Sequence, residues 1–115
     1  IFFLGDSISS FSSTGLNIHN MISGKDTLLY EGKVHLFAYS PESGSIAIYD
    51  DVKKKILIGQ LKNDKIIDLK SYYDLNLRAF AMYFNADGTK LYFEGSYKDI
   101  SGVINLINGE VMEVK

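Results

Sequence analysis

Apolar residues in this 115-residue chain recur with a period close to two, and this spacing constrains the fold more than any other feature. The clearest example is the segment LRAFAMYF at residues 77–84. Phe80, Met82 and Phe84 share one face of the extended segment, and the other face is also apolar. Apolar groups on both faces predict a central strand. Because β-branched and aromatic residues dominate such segments, we expect an all-β chain.

Turn signals separate the predicted strands and indicate antiparallel hairpins. Asn108-Gly109 lies between VINLI and EVMEV and predicts a two-residue type I′ turn, which requires positive φ at both residues. NADGT at 85–89 and SPESGS at 40–45 predict longer hairpin loops, and residues 50–54 predict another reversal. We therefore expect about nine to eleven short strands, mostly antiparallel.

The segment DLKSYYDLNL at 68–77 has two interpretations. Its apolar spacing fits two turns of a helix and equally fits strand, loop and strand. Elsewhere, alternation predicts the core, which we expect to include Phe37, Ile46, Ile48, Ile56, Ile58, Phe80, Met82, Phe84, Leu91, Phe93, Val103, Ile104, Leu106 and Val111.

Two parts of the chain, residues 16–60 and 77–115, are similar to each other. LNIHNMISGKDTLLYEG from Leu16 aligns with LRAFAMYFNADGTKLYFEG from Leu77, and IAIYDDVKKKILI from Ile46 aligns with VINLINGEVMEV from Val103. Each copy resembles a β-propeller blade, particularly in DGTKLY and the closing hairpin. The resemblance implies a scaffold, although two blades cannot close a ring and the chain has no tryptophan for a Trp-Asp dipeptide. We predict a single all-β domain over residues 1–115, propeller-like or a sandwich or meander, with about two repeats.

The opening FLGDSIS resembles the first block of the GDSL (SGNH) lipases and esterases, and this resemblance implies Ser7 as a nucleophile. A serine nucleophile needs a base within hydrogen-bond reach, which that family supplies from a late histidine preceded by aspartate. The only histidines here are His19 and His35, both in the first half of the chain. Hairpin signals also predict an antiparallel sheet. We interpret the match as chance and predict no enzyme, with a Ser7 esterase as an alternative.

Composition excludes several kinds of site. The absence of cysteine excludes disulfides, thiolate zinc sites and thiol catalysis. Two isolated histidines lack metal-site spacing, and the Asp50-Asp51 pair lacks the ligand spacing of a calcium loop, so we interpret that pair as solvated turn charge. The glycines form no phosphate-binding loop. No metal and no cofactor are predicted.

Charge and hydropathy limit the partners. The net charge is −2, and Arg78 is the only arginine, which argues against nucleic acid. The apolar runs are too short for a membrane span, and the first residues lack the pattern of an export signal. These observations predict a cytoplasmic protein without a membrane partner.

The aromatic content, with eight tyrosines, points to protein binding. Tyr72 and Tyr73 are adjacent on a predicted strand, so their side chains should point to opposite faces and leave at least one exposed. The candidate protein-binding residues are Asp68, Tyr72, Tyr73, Asp74, Arg78, Tyr97 and Asp99. The leading hypothesis is a non-enzymatic protein-binding module of the inhibitor or toxin-immunity kind, whose partner is a basic toxin or enzyme. The alternative is a blade pair of a β-propeller scaffold, and the oligomeric state is left open.

Overall fold

The computed structural model describes residues 2–4, 7–11, 15–74, 79–95 and 101–114, and every regular element within them is a β-strand. Side chains are described for residues 15–34, 36–73, 81–95 and 101–113. The strands are β1 (Phe2–Leu4), β2 (Ser7–Phe11), β3 (Gly15–Asn20), β4 (Asp26–Glu31), β5 (Val34–Tyr39), β6 (Ser45–Asp50), β7 (Lys55–Lys62), β8 (Lys65–Asp74), β9 (Ala79–Phe84), β10 (Lys90–Gly95), β11 (Ser101–Asn105) and β12 (Val111–Val114). The predicted all-β, antiparallel class is confirmed, and the described residues form twelve strands, more than the nine to eleven expected. No helix in this part of the chain is long and apolar enough to cross a membrane.

The strands form three four-stranded sheets in chain order: β1–β4, β5–β8 and β9–β12, called here the first, second and third sheets. Each strand pairs antiparallel with the next one in the sequence, so every sheet is a meander. Such meanders need only short connections, which the turn residues between the strands supply.

The sheets stack face to face, and two apolar clusters lie between them. One cluster joins Leu16 of the first sheet to Val34, Phe37, Ile46 and Ile48 of the second. The other joins the opposite face of the second sheet to the third, through Ala47, Tyr49, Ile56, Ile58, Met82, Leu91, Phe93 and Ile104. All six residues of β6 are consequently buried, because both faces of the second sheet are covered.

Most of the predicted core is confirmed. Nine of the predicted residues are buried: Phe37, Ile46, Ile48, Ile56, Ile58, Met82, Leu91, Phe93 and Ile104. Phe84, Leu106 and Val111 are half-buried against the cluster between the second and third sheets. Val103 is half-buried on the opposite face of the third sheet, and the side chain of Phe80 lies outside the described residues.

The prediction that residues 77–84 form a central strand is wrong. Among the residues that the structure describes, β9 is an edge strand of the third sheet and pairs with β10 alone. One face of β9 is covered, because Met82 packs against the second sheet. The other face carries Tyr83, which is 55% exposed. Alternation therefore identified the strand, but apolar character on both faces did not identify its neighbours.

The turns were predicted in the right places, with one error of type. The loops at 40–45, 50–54 and 85–89 connect the expected strands, and residues 68–74 continue β8 as strand and not as helix. The β11–β12 hairpin is not a two-residue turn: five residues, 106–110, separate the two strands, and among them only Gly109 has positive φ, at 76°. A two-residue turn with positive φ at both positions occurs at Asn63 and Asp64, between β7 and β8.

The structure contains three repeats of four strands where the sequence suggested about two. The similar segments that begin at Leu16 and Leu77 correspond to β3–β4 of the first sheet and β9–β10 of the third, which hold different positions in their sheets. Alternating hairpins resemble one another wherever they occur, so sequence similarity matched hairpins without matching sheets. That residues 1–115 form a single domain stays a prediction.

Candidate functional site

The predicted binding residues fall on β8 or outside the described residues. Asp68, Tyr72 and Tyr73 lie on β8, one of the two edge strands of the second sheet. Asp74 ends that strand, and its side chain lies outside the described residues. The whole of Arg78, Tyr97 and Asp99 also lies outside them. A patch formed by all seven residues therefore stays a prediction.

Tyr72 and Tyr73 both contact the core, because β8 is irregular at this point. The register shifts so that Ile56 pairs with Tyr73 while Leu57 pairs with Ser71, which leaves Tyr72 as the extra residue of a bulge. A bulge interrupts the alternation of side chains, and both tyrosines are half-buried against the same cluster. The expectation that they point to opposite faces fails for this reason.

Tyr73 connects the second sheet to the third. Its hydroxyl donates a hydrogen bond to Glu113 of β12, and its ring lies 4.8 Å from that of Phe93 between centroids, tilted by 38°. Burial, together with the hydrogen bond to the Glu113 carboxylate and the charge of that group, raises the pKa of Tyr73 to about 12. Tyr73 thus has a structural role at the contact between the sheets.

A cleft of about 180 Å³ lies beside Tyr72, between the second and third sheets. Strands β7 and β8 supply most of its wall, and Leu106, which follows β11, supplies the side from the third sheet. The lining residues are Ser45, Ile58, Gly59, Gln60, Asp68, Lys70, Tyr72 and Leu106. The cleft brings together two of the predicted residues, Asp68 and Tyr72.

The cleft combines charged, amide and apolar groups. Asp68 is exposed and has a φ of 54°, at a second register shift in the pairing of β7 with β8. Aspartate tolerates this left-handed conformation better than most residues. Gln60 donates a hydrogen bond of 2.9 Å to the Ser45 hydroxyl, which fixes the amide at the cleft wall. A carboxylate acceptor and the Lys70 ammonium donor therefore face one small space with an apolar side.

Sequence reasoning missed three polar residues of the cleft: Ser45, Gln60 and Lys70. Lys70 stands inside the segment KSYYDLNLR and could have been included as a neighbour of the tyrosines. Ser45 and Gln60 carry no local signal, because they meet only through the antiparallel pairing of β6 with β7.

The Asp50-Asp51 pair is buried, which corrects its interpretation as solvated turn charge. Asp50 is 1% exposed and Asp51 is 6% exposed. The Tyr30 hydroxyl of β4 donates a hydrogen bond of 2.6 Å to Asp50 Oδ2, and the backbone N–H groups of Val52 and Lys53 donate to Oδ1. Asp51 accepts from Lys54 Nζ at 2.9 Å. The turn after β6 therefore joins the second sheet to the first.

The hydrogen bonds of Asp50 determine its protonation. Burial alone raises the pKa of this carboxyl, but the bonds from Tyr30 and the two backbone amides, with the charge of Lys53, outweigh burial and lower it below the ordinary 3.8. The pKa of Tyr30 rises, because its hydroxyl is partly buried and donates to a carboxylate. Asp50 is thus a charged acceptor that holds two sheets together.

The histidines are separate from each other and from the cleft. His19 on β3 is half-exposed and shares a hydrogen bond of 2.6 Å with Asp26 of the neighbouring β4. His35 lies on β5, and its side chain is outside the described residues. Within the part of the chain that the structure describes, no three His, Cys, Asp or Glu side chains are grouped to hold a metal ion.

Ser7 begins β2, which pairs antiparallel with β1 and β3. Its paired residues are Leu4 and Asn20. This surrounding differs from the parallel α/β sheet that the GDSL resemblance implies.

Three stacked four-stranded meanders define an all-β protein with propeller-like repeats. No protein-family model matches the chain, and no curated protein does. Among solved structures, it is similar to a chain in the crystal structure of a nidogen/laminin complex, with a TM-score of 0.69 and 12% sequence identity. The alignment covers 93% of this chain and 42% of that chain, so this chain spans less than half of its length. At this identity the likeness concerns the fold.

Proposed function

We propose that this chain is a non-enzymatic scaffold segment of the β-propeller kind, which binds another protein through the cleft between its second and third sheets. The observation that carries the proposal is the stack of three successive four-stranded meanders, packed face to face like propeller blades. A stack of this kind holds the cleft residues other than Leu106 on strands, where side-chain positions are fixed more firmly than on loops.

The cleft lining suits a segment of polypeptide. Asp68 and Lys70 supply an acceptor and a donor of opposite charge, and Ile58 and Leu106 supply apolar contact. The volume, about 180 Å³, is below the range of roughly 300–1,000 Å³ typical of small-molecule sites. A short segment or a side chain of a partner protein therefore fits better than a cofactor.

Peptide selection tests this proposal. Peptides are selected from a phage-displayed random library on the immobilised 115-residue chain, and their affinities are then measured by fluorescence polarisation. We expect Asp68→Lys and Lys70→Glu each to weaken binding by about tenfold or more, since losing about 1.4 kcal/mol of charge-assisted hydrogen bonding has that effect.

Lys62→Glu is the matched control, because Lys62 is an exposed lysine at the end of β7 and does not line the cleft. Its affinity should remain close to that of the unmodified chain. Selected peptides whose binding ignores both cleft variants would place recognition elsewhere and contradict the role of the cleft.

The inhibitor or immunity-type role is a narrower form of the same proposal. A net charge of −2 favours a basic partner, although so small a charge steers encounters weakly. Selection of basic peptides that dissociate as salt rises would support this form. Selection of apolar, salt-insensitive peptides would oppose it.

A further inference from the structure

The face of the third sheet turned away from the second carries a row of apolar side chains that belong to neither of the two buried clusters. One residue of this outer row lies on each strand of the sheet, and strand pairing places them side by side: Tyr83, Tyr92, Val103 and Met112. Met112 is 66% exposed, and the rings of Tyr83 and Tyr92 stack with centroids 5.3 Å apart. Tyr92 and Val103 are half-buried between them, and a contiguous apolar row that is partly exposed in this way is typical of an interface.

The outer row corresponds to covered positions of the second sheet. Two backbone hydrogen bonds of the second sheet recur in the third sheet between residues numbered 45 higher. One closes the first hairpin of the sheet, and the other joins the turn of that hairpin to a residue later in the same sheet. The matched donors are Ser40 with Asn85, and Leu61 with Leu106. By this spacing, Tyr92 and Val103 correspond to Ala47 and Ile58, which are both buried against the third sheet.

The face of the first sheet turned away from the second corresponds to the face of the third sheet that packs against the second. The last hairpin of the first sheet recurs 85 positions later in the third, where Asn105 makes the same two turn-closing backbone bonds as Asn20. By this spacing, His19 corresponds to Ile104, which is fully buried against the second sheet. The two ends of the stack are therefore equivalent to the two surfaces that meet between the second and third sheets.

We infer that the outer row packs against the first sheet of a second copy of this chain, so that two copies close head to tail into one ring. The inference rests on the proposed propeller-type scaffold and states what completes it. It continues a contact already present twice in the stack. The tyrosine hydroxyls of the outer row supply polar partners for the His19–Asp26 pair on the facing sheet. Two copies of three sheets fall within the range of about four to eight propeller blades.

Molar mass in solution tests the inference. We expect light scattering on the eluting protein to give twice the chain mass of 12.9 kDa. Met112→Glu and Tyr83→Ser should each return the mass to that of one chain, because a buried carboxylate or a lost ring disrupts the shared face. Val52→Glu is the matched control: Val52 is 72% exposed on the turn after β6, away from the outer row, and its dimer should persist.

Cross-linking tests the head-to-tail direction. The chain has no cysteine, so single cysteines can be introduced at Leu28, which is 52% exposed on the first sheet, and at Met112 on the third. A short bis-maleimide should link Leu28→Cys chains to Met112→Cys chains in a mixture and should link neither variant to itself.

A single-chain mass at every concentration from micromolar to millimolar would overturn the inference. So would linkage of Met112→Cys chains to one another, since that result requires two third sheets to meet. A monomer that still binds selected peptides through the cleft would leave the proposed function standing, so the two failures are distinguishable.

Discussion

The hydroxyl of Tyr30 is the group whose removal should best reveal the link between the first and second sheets. In Tyr30→Phe, the buried Asp50 carboxylate loses its bond of 2.6 Å, and we expect the free energy of unfolding to fall by about 1–3 kcal/mol in urea titrations. Asp50→Asn completes a double-mutant cycle. Additive effects of the two changes would contradict a direct interaction between these residues.

Tyr73 should make stability depend on alkaline pH. Its pKa is about 12 in the folded protein and near 10 in the unfolded chain, so its contribution is complete below pH 10 and is lost between about 10 and 12. We expect Tyr73→Phe to flatten that part of the profile of melting temperature against pH. Tyr39→Phe removes a tyrosine hydroxyl beside the cluster between the first and second sheets and serves as the control. A profile that Tyr73→Phe leaves unchanged would contradict the prediction.

At the scale of elements, Gly102 allows β11 to pack closely against Phe93 of β10 and the backbone of β12. A Cβ at this position would lie 2.6 Å from Phe93 Cζ and 2.7 Å from the carbonyl oxygen of Met112. We expect Gly102→Ala to destabilise the protein by about 1–3 kcal/mol in urea titrations, because the core must move to accept the methyl group.

Gly109→Asn provides a contrast within the same sheet. Gly109 has a φ of 76° and open space around it, and asparagine tolerates that conformation. We expect a change within about 0.5 kcal/mol. Equal effects of the two substitutions would show that lost glycine flexibility, and not close packing, dominates at Gly102.

Local chemistry explains which elements could be predicted. Hairpins such as 85–89 depend on residues within a few positions, and Thr89 indeed bonds to Asp87 through both its backbone N–H and its hydroxyl. The burial of Asp50 depends on Tyr30, twenty positions away, and the positions of Tyr72 and Tyr73 depend on a bulge set by the pairing with β7. Alternation carries no information on such distant partners, so the meeting of Ser45 with Gln60 in the cleft could not be predicted from sequence.

At the scale of the whole molecule, the antiparallel surroundings of Ser7 predict an absence of esterase activity. Ser7 begins β2, which lies between β1 and β3 in an antiparallel meander. The GDSL hydrolases, which the opening segment resembles, place their serine in an α/β fold instead. We expect the chain to hydrolyse p-nitrophenyl butyrate no faster than buffer does, with Ser7→Ala and the control Ser9→Ala indistinguishable from it. Turnover lost only in Ser7→Ala would contradict the non-enzymatic proposal.

Both faces of the second sheet are covered by neighbouring sheets, and this arrangement limits what a change in the number of sheets can achieve. A linear stack leaves two faces bare however many sheets it contains, because each added sheet covers one face and exposes another. Duplication of a repeat therefore moves the solvent-exposed apolar surface without reducing it. Only curvature that returns the last sheet to the first removes both bare faces, so evolution of repeat number in such chains is tied to the angle between neighbouring sheets.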